Sequence, residues 1–145
     1  MMKLRWRTVL PATIGAALLI QVVPILHDNP PIASAVAAPL EVVSILKRSC
    51  YDCHSHETTW PWYTYVAPAS WLAGHDVHDG RRSLNFSAWS SDLPNVRQKK
   101  MRDLIDEVQE GEMPPWYYTP LHPAARLSAE DVKVLVEWAK AESAR

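Results

Sequence analysis

The stretch Cys50-Tyr51-Asp52-Cys53-His54 constrains this chain more than any other part of it. Two thiols three positions apart, followed at once by a histidine, make the CxxCH spacing of covalent haem attachment. Each thiol can add to one vinyl group on the porphyrin edge. His54 then lies under the ring and offers an imidazole nitrogen to the iron. A redox dithiol, or half of a zinc site shared with His54 and His56, would use the same residues. Structural zinc wants four protein ligands, and the chain has no second cysteine pair. A thioredoxin-like motif wants a βαβ setting, and no such pattern follows. Because both cysteines lie in the motif, none is left for a structural disulfide, and cysteine usage says nothing about compartment.

Ahead of the motif, Lys3, Arg5 and Arg7 precede a run from Thr8 to Leu26 that carries no charge and is interrupted only by Pro11, Gln21 and Pro24. As a helix this run would reach about 28 Å, the thickness of one hydrocarbon core. The expectation is an N-terminal signal-anchor or transmembrane helix over residues 1–27. Its basic flank leaves the N-terminus in the cytoplasm and puts the remainder on the periplasmic, extracytoplasmic side. Ala33-Ser34-Ala35 and Ala35-Val36-Ala37 fit the small-x-small pattern of signal peptidase sites. The apolar run is longer than a usual signal core and those sites lie past its end, which favours an uncleaved anchor. Residues 28–38 read as a Pro/Ala-rich connector, and residues 39–145 as the domain that carries the motif.

Within that domain the periodicity is helical and no β-pattern appears, so the fold class expected is all-α. Leu40, Val43, Ile45 and Leu46 form an apolar stripe leading into the motif, closed by Lys47 and Arg48. A second helix is expected from Pro68 to Asp79, with Gly80 as its stop, and Ser83–Asp92 is expected to be an irregular loop. Pro94 to Glu110 reads as a helix ended by Gly111, and Ser128-Ala129-Glu130-Asp131 as a capping box opening the last one. Once Lys3, Arg5 and Arg7 are set aside, 12 basic residues face 16 acidic ones. A mildly acidic domain without a basic stripe is a poor nucleic-acid binder, and no nucleic-acid partner is expected.

Several residues are candidates to contact the cofactor. Trp60 and Trp62, in the dense segment Trp60-Pro61-Trp62-Tyr63-Thr64-Tyr65, pack either on the porphyrin or in ordinary core. Arg81 and Arg82 suit the haem propionates or the last carbonyls of their helix, and also suit a solvated turn. Met113 lies in Gly111-Glu112-Met113-Pro114-Pro115-Trp116, where two prolines hold the chain extended and fix a thioether for the sixth coordination position. His75, His78 and His122 compete for that position. His56 is too close to His54 to reach the opposite face of the ring.

With these features in place the chain resembles class I cytochrome c, and more closely the bacterial haem-binding domain family of small membrane-anchored proteins. The resemblance runs from about Asn29 to Ala141. It is carried by Asn29-Pro30-Pro31, by CYDCHSHETTWPWYTYVAPASWL from Cys50, by DVHDGRRSLNFSAW from Asp76 and by GEMPPWYYTPLHPAARLS from Gly111. It implies one covalent haem c outside the cytoplasmic membrane, with Cys50 and Cys53 as thioether positions, His54 as proximal ligand and Met113 as distal ligand. His56 stands where many relatives carry Asn, a departure that leaves ligation undisturbed. Histidine–methionine ligation raises the potential and leaves no open position, which suits a membrane-tethered one-electron carrier and not an enzyme. A haem-based sensor with a labile or absent Met113 is the alternative. A peroxidase-like enzyme is a third reading and needs an open position with a nearby acid–base group such as His75 or His78. No redox partner protein is named by the sequence.

Overall fold

The computed structural model describes residues 2–144. Among the described residues the regular structure is helical, with six α-helices, no β-strand, and one isolated parallel bridge between Ser34 and Ala88. The chain divides into two compact units. One comprises Met1–His27 and Trp60–Asp76, the other Asp28–Thr59 and Val77–Arg145.

In the first unit, helix α1 spans Met2–Leu19 and continues as a 3-10 turn, Ile20–Val22, before the chain becomes extended. The expected span to Leu26 is therefore not one helix. Helix α1 starts at Met2, takes in the basic positions and Pro11, and stops short of Pro24. Among the described residues no helix is long and apolar enough to cross a membrane. The side chains of Lys3, Arg5 and Arg7 lie outside the described residues. Beyond α1 the backbone is held by side chains. Gln21 pairs with both backbone groups of Ala67, its Oε1 accepting from the amide at 2.9 Å and its Nε2 donating to the carbonyl at 3.2 Å. His27 Nε2 donates to the Thr64 carbonyl at 2.8 Å, and its ring stacks on Tyr65 at 4.1 Å with the edge of Trp60 at 4.7 Å. The aromatic segment forms a 3-10 turn, Trp62–Tyr65.

The second unit holds the core. Helix α2 (Leu40–Ser49) buries Val42, Ile45 and Leu46, and α3 (Tyr51–His54) follows after a break at Cys50. Helix α4 spans Ala69–Ser83, and its residues from Val77 onward belong to this unit. Gly80, expected to stop the helix, lies inside it. A methyl group there would stand 2.6 Å from the Cys53 carbonyl oxygen, so glycine permits close approach of two backbones and does not end a helix. Helix α5 (Pro94–Glu110) has the expected bounds, with proline in its first turn and Gly111 left-handed at φ 76° past its end. Helix α6 (Ala129–Ser143) opens on the expected capping box. Ser128 Oγ accepts from the Asp131 amide at 3.1 Å, and Asp131 Oδ2 accepts from the Ser128 amide at 2.8 Å.

Helices α5 and α6 pack together, and α2 packs on α6. Through the core run four stacked aromatic rings in series. Tyr51 and Phe86 lie 5.5 Å apart, Phe86 and Trp89 6.1 Å, and Trp89 and Trp138 5.8 Å. Such pairs each add about 0.5–1.5 kcal/mol beyond the area they bury. Residues 28–38 are tied to this core: the amides of Ala33 and Ser34 donate to the Ser87 carbonyl and that of Val36 to the Phe86 carbonyl, with Val36 buried.

An ion pair at 2.9 Å joins Arg48, near the end of α2, to Asp131 in the first turn of α6. Burial disfavours the Asp131 carboxylate, but the Ser128 amide and hydroxyl and the Arg48 guanidinium outweigh it and hold the carboxyl below its usual range. A folded pKa below the unfolded one adds stability above the unfolded value, and that stability is lost as pH falls through the folded value. Asp131→Asn should therefore destabilise by about 1 kcal/mol at neutral pH. In urea unfolding the difference from wild type should close as pH drops below the usual carboxylate range. A gap that stays constant with pH would show that charge is not its source.

Candidate functional site

Cys50 has a non-helical backbone, φ −127° and ψ −31°, and its carbonyl accepts from the amides of Cys53 at 3.2 Å and His54 at 2.9 Å. One tight helical turn thus carries both thiols and the imidazole. Neither cysteine is in a disulfide, and both are half-buried. Burial and the neighbouring Cys53 push the Cys50 thiol up to about 12, against the opposing pull of Arg48. A redox dithiol works through a thiol of depressed pKa, so this environment speaks against that use of the pair. No group of three or more His, Cys, Asp or Glu among the described residues is placed to hold a metal ion.

His54 carries the most informative geometry. Its Nδ1 is 3.0 Å from the Gly80 carbonyl oxygen and 3.0 Å from that of Leu84. A nitrogen facing two acceptors must carry the proton, which leaves the Nε2 lone pair for a metal. Burial pushes the imidazole below its usual pKa, against the two carbonyls, and so favours the neutral form that ligates. Gly80 lies in the last turn of α4, where its carbonyl also accepts from the Leu84 amide at 2.9 Å, and Leu84 follows directly after the helix. The His54 carbonyl in turn accepts from the Phe86 amide at 2.8 Å. This is the support that orients a ligating histidine.

The motif is fastened on its other side through Asp52. Its carboxylate accepts from the Thr59 amide at 3.0 Å and from the Tyr118 hydroxyl at 2.6 Å, and its carbonyl accepts from Thr58 Oγ1 at 2.8 Å. Tyr118 lies in the segment that follows Met113, and its ring stacks on His122 at 4.0 Å. The hydroxyl therefore ties the methionine-bearing turn to the CxxCH helix. Tyr118→Phe should cost about 1.5–3 kcal/mol, the range for a hydrogen bond to a charged group. A loss under about 0.5 kcal/mol in urea unfolding would show that the tie contributes nothing.

The remaining candidates fall into different settings. Met113 lies in the same unit as the motif, after α5, 37 % exposed, with its amide on the Glu107 carbonyl at 3.3 Å. Trp116, Tyr117 and Leu121 beyond it are also exposed. Arg81 is bound by protein: Nε donates to the Ser55 carbonyl at 2.7 Å, and one terminal nitrogen reaches Asn29 Oδ1 at 2.9 Å and Thr58 Oγ1 at 3.0 Å. The other terminal nitrogen is 3.3 Å from Asp28. Arg82 is exposed and reaches Asp79 at 3.3 Å. Trp60 and Trp62 belong to the first unit, Trp60 half-buried and Trp62 79 % exposed. His75 and His78 are exposed on α4, and His78 Nδ1 is 3.0 Å from Asp79. His56 accepts from Asn85 Nδ2 at 2.9 Å, so its Nδ1 donates to the Pro31 carbonyl at 3.0 Å.

Sequence reasoning missed the Gly80 and Leu84 carbonyls, Phe86, and the Asp52–Tyr118 pair. Backbone acceptors have no side-chain signature, and a phenol 66 positions from its carboxylate leaves no local pattern.

An imidazole with Nδ1 fixed by two carbonyls, two thiols on the same helical turn, and exposed apolar side chains in the same unit fit a haem group. Together with the helical fold they define a small helical haem protein. The chain belongs to the haem-binding domain family, whose model matches residues 15–141. It is also 33 % identical over 110 residues to a protein of Escherichia coli (strain K12) named cytochrome c peroxidase Ccp, a match covering 73 % of this chain and 24 % of that protein. The chain thus spans about a quarter of the length of this curated relative. No solved structure matches it.

Proposed function

We propose that this haem-binding chain holds a single c-type haem covalently and works as a membrane-tethered one-electron carrier. The observation that carries the reading is His54, half-buried, its pKa lowered by burial, and pinned at Nδ1 by Gly80 and Leu84 so that Nε2 is left for a metal, beside two cysteines on one helical turn. Cys50 and Cys53 would hold the porphyrin edge, and His54 and Met113 the iron. Haem bound in this way supplies one-electron iron redox chemistry. The chain's part is to orient His54 through α4, to hold the Met113 turn through Tyr118 and Asp52, and to cover the ring with apolar side chains. Arg82, paired only at the surface, suits a propionate better than Arg81, whose guanidinium is bound by Asp28, Asn29, Ser55 and Thr58. The charge-free run after Arg7 would tether the domain on the extracytoplasmic face of the cytoplasmic membrane.

A second reading, an open or labile distal position with peroxidase-like activity, is favoured by the exposure of Met113 and by the name of the relative. The coverage of that relative weighs against it, since this chain corresponds to a quarter of a protein named for the activity. Spectroscopy of the purified chain separates the two. The carrier should show the weak methionine–iron absorbance at the far-red edge of the ferric spectrum and lose it in Met113→Ala. Haem should survive denaturing electrophoresis in wild type but not when Cys50→Ala and Cys53→Ala are combined. A high-spin wild type that binds carbon monoxide readily would overturn the carrier reading, and haem released on denaturation would overturn covalent attachment.

A further inference from the structure

Charge is divided between the two units in a way that composition conceals. Of 15 basic and 16 acidic residues, all except Lys3, Arg5, Arg7 and Asp76 fall in the second unit. In the first, no Asp, Glu, Lys or Arg occurs from Thr8 to His27 or from Trp60 to His75. These stretches expose large apolar side chains: Trp62 is 79 % exposed, Tyr65 61 % and Leu72 49 %, and Val22, Val23, Leu26 and Val66 are exposed with them. Surface of that kind in an ordinary soluble domain would be interspersed with charge. Tryptophan and tyrosine with no charge nearby are instead the composition of a membrane–water interface, where an amphipathic ring sits at headgroup depth.

We propose that Trp60–Leu72 is a membrane-docking element, seated in the headgroup layer of a lipid bilayer. The proposal rests on the reading that the apolar N-terminal segment tethers the chain to a membrane. The occupant follows from continuity. Within the first unit the docking element is fastened to the end of that segment by the Gln21–Ala67 pairing, by His27 against Thr64 and Tyr65, and by Trp71 Nε1 donating to the Val23 carbonyl at 3.3 Å. Gly74 lies so close to Ile25 that an added methyl would stand 3.0 Å from its Cδ1. Whatever medium holds the end of the apolar segment also meets Trp62 and Tyr65. The local backbone suits a layer poor in water: the amides of Thr64, Val66 and Ser70 donate to the carbonyls of Pro61, Tyr63 and Val66, and that of Ala67 to Gln21.

The test uses the full chain in phospholipid vesicles, with a nitroxide spin label on Trp62→Cys, Tyr65→Cys or, as reference in the second unit, Lys140→Cys. The signal of the chain without an introduced cysteine is subtracted. Power saturation compares collisions with oxygen, which concentrates in lipid, and with a neutral nickel chelate, which stays in water. The oxygen-to-nickel ratio at 62 and 65 should be roughly fivefold or more above that at 140, because the polar chelate is excluded from apolar surroundings. If the chain floats with the vesicles but labels at 62 and 65 meet the chelate as freely as the label at 140, docking is overturned and tethering stands. If they are shielded from both colliders, protein covers this face and the lipid assignment is overturned. If the chain does not float with vesicles, tethering and docking fail together.

Discussion

Phe86→Ala should destabilise the protein by about 3–5 kcal/mol, the cost of truncating a fully buried aromatic ring. Phe86 is 1 % exposed and stacked between Tyr51 and Trp89, with the His54 ring edge-on at 6.3 Å. Its removal opens a void at the middle of the ring series, where neither neighbour can collapse without leaving its own partner. The Phe86 amide bonds the His54 carbonyl and its own carbonyl accepts from Val36, so the void lies where the CxxCH turn, residues 33–36 and the strip after α4 meet. Urea unfolding of the full chain reads the loss directly. Phe86→Leu keeps most of the volume but not the stacking, and should lose about 1–2 kcal/mol. A loss below about 1 kcal/mol for Phe86→Ala would show that the ring series does not form the core.

Phe86 also shows why part of this molecule is hidden from pattern reading. Ser83–Asp92 lacks periodicity and reads as a loop, yet Leu84, Phe86 and Trp89 from it are all buried. Their burial comes from hydrogen bonds to Ala33, Ser34, Val36 and His54, partners too distant in sequence to leave a local signature. Where a local rule decides the outcome, the sequence suffices. Pro94 and Gly111 bound α5 because proline suits a first turn and glycine a left-handed end, and Ser128 with Asp131 caps α6 by short-range bonds. The apolar N-terminal run is longer than its helix because absence of charge does not guarantee helical continuity, and the α-helix gives way to a 3-10 turn at Ile20. For Arg81 the sequence leaves propionates, helix carbonyls and solvent all open, and its contacts with Asp28, Asn29 and Thr58 come from residues too far along the chain to be read locally.

Gly80→Ala sets two rules of opposite sign against each other. Gly80 is inside a helix, where exchanging glycine for alanine ordinarily gains about 1 kcal/mol. The added methyl, however, would lie 2.6 Å from the Cys53 carbonyl oxygen, 3.0 Å from its carbon and 3.1 Å from Cys53 Cβ. The first two are backbone atoms of the CxxCH turn and cannot swing aside as a side-chain end can. Relief requires α4 and α3 to separate, a strain of about 1–3 kcal/mol or more that outweighs the propensity gain. The consequence reaches the site, because the Gly80 carbonyl accepts from His54 Nδ1 and moves with the helix. Gly80→Ala should thus lower stability by about 1–2 kcal/mol net. It should also reduce haem incorporation, read as haem absorbance per unit protein, more than a surface substitution of equal thermodynamic cost. Gly74→Ala is the control on the same helix. Its closest contact is the mobile Cδ1 of Ile25 at 3.0 Å, so strain and propensity should nearly cancel and haem loading should be unchanged. If Gly80→Ala proves as benign as Gly74→Ala in both measurements, the close approach of α4 to Cys53 is not what fixes His54.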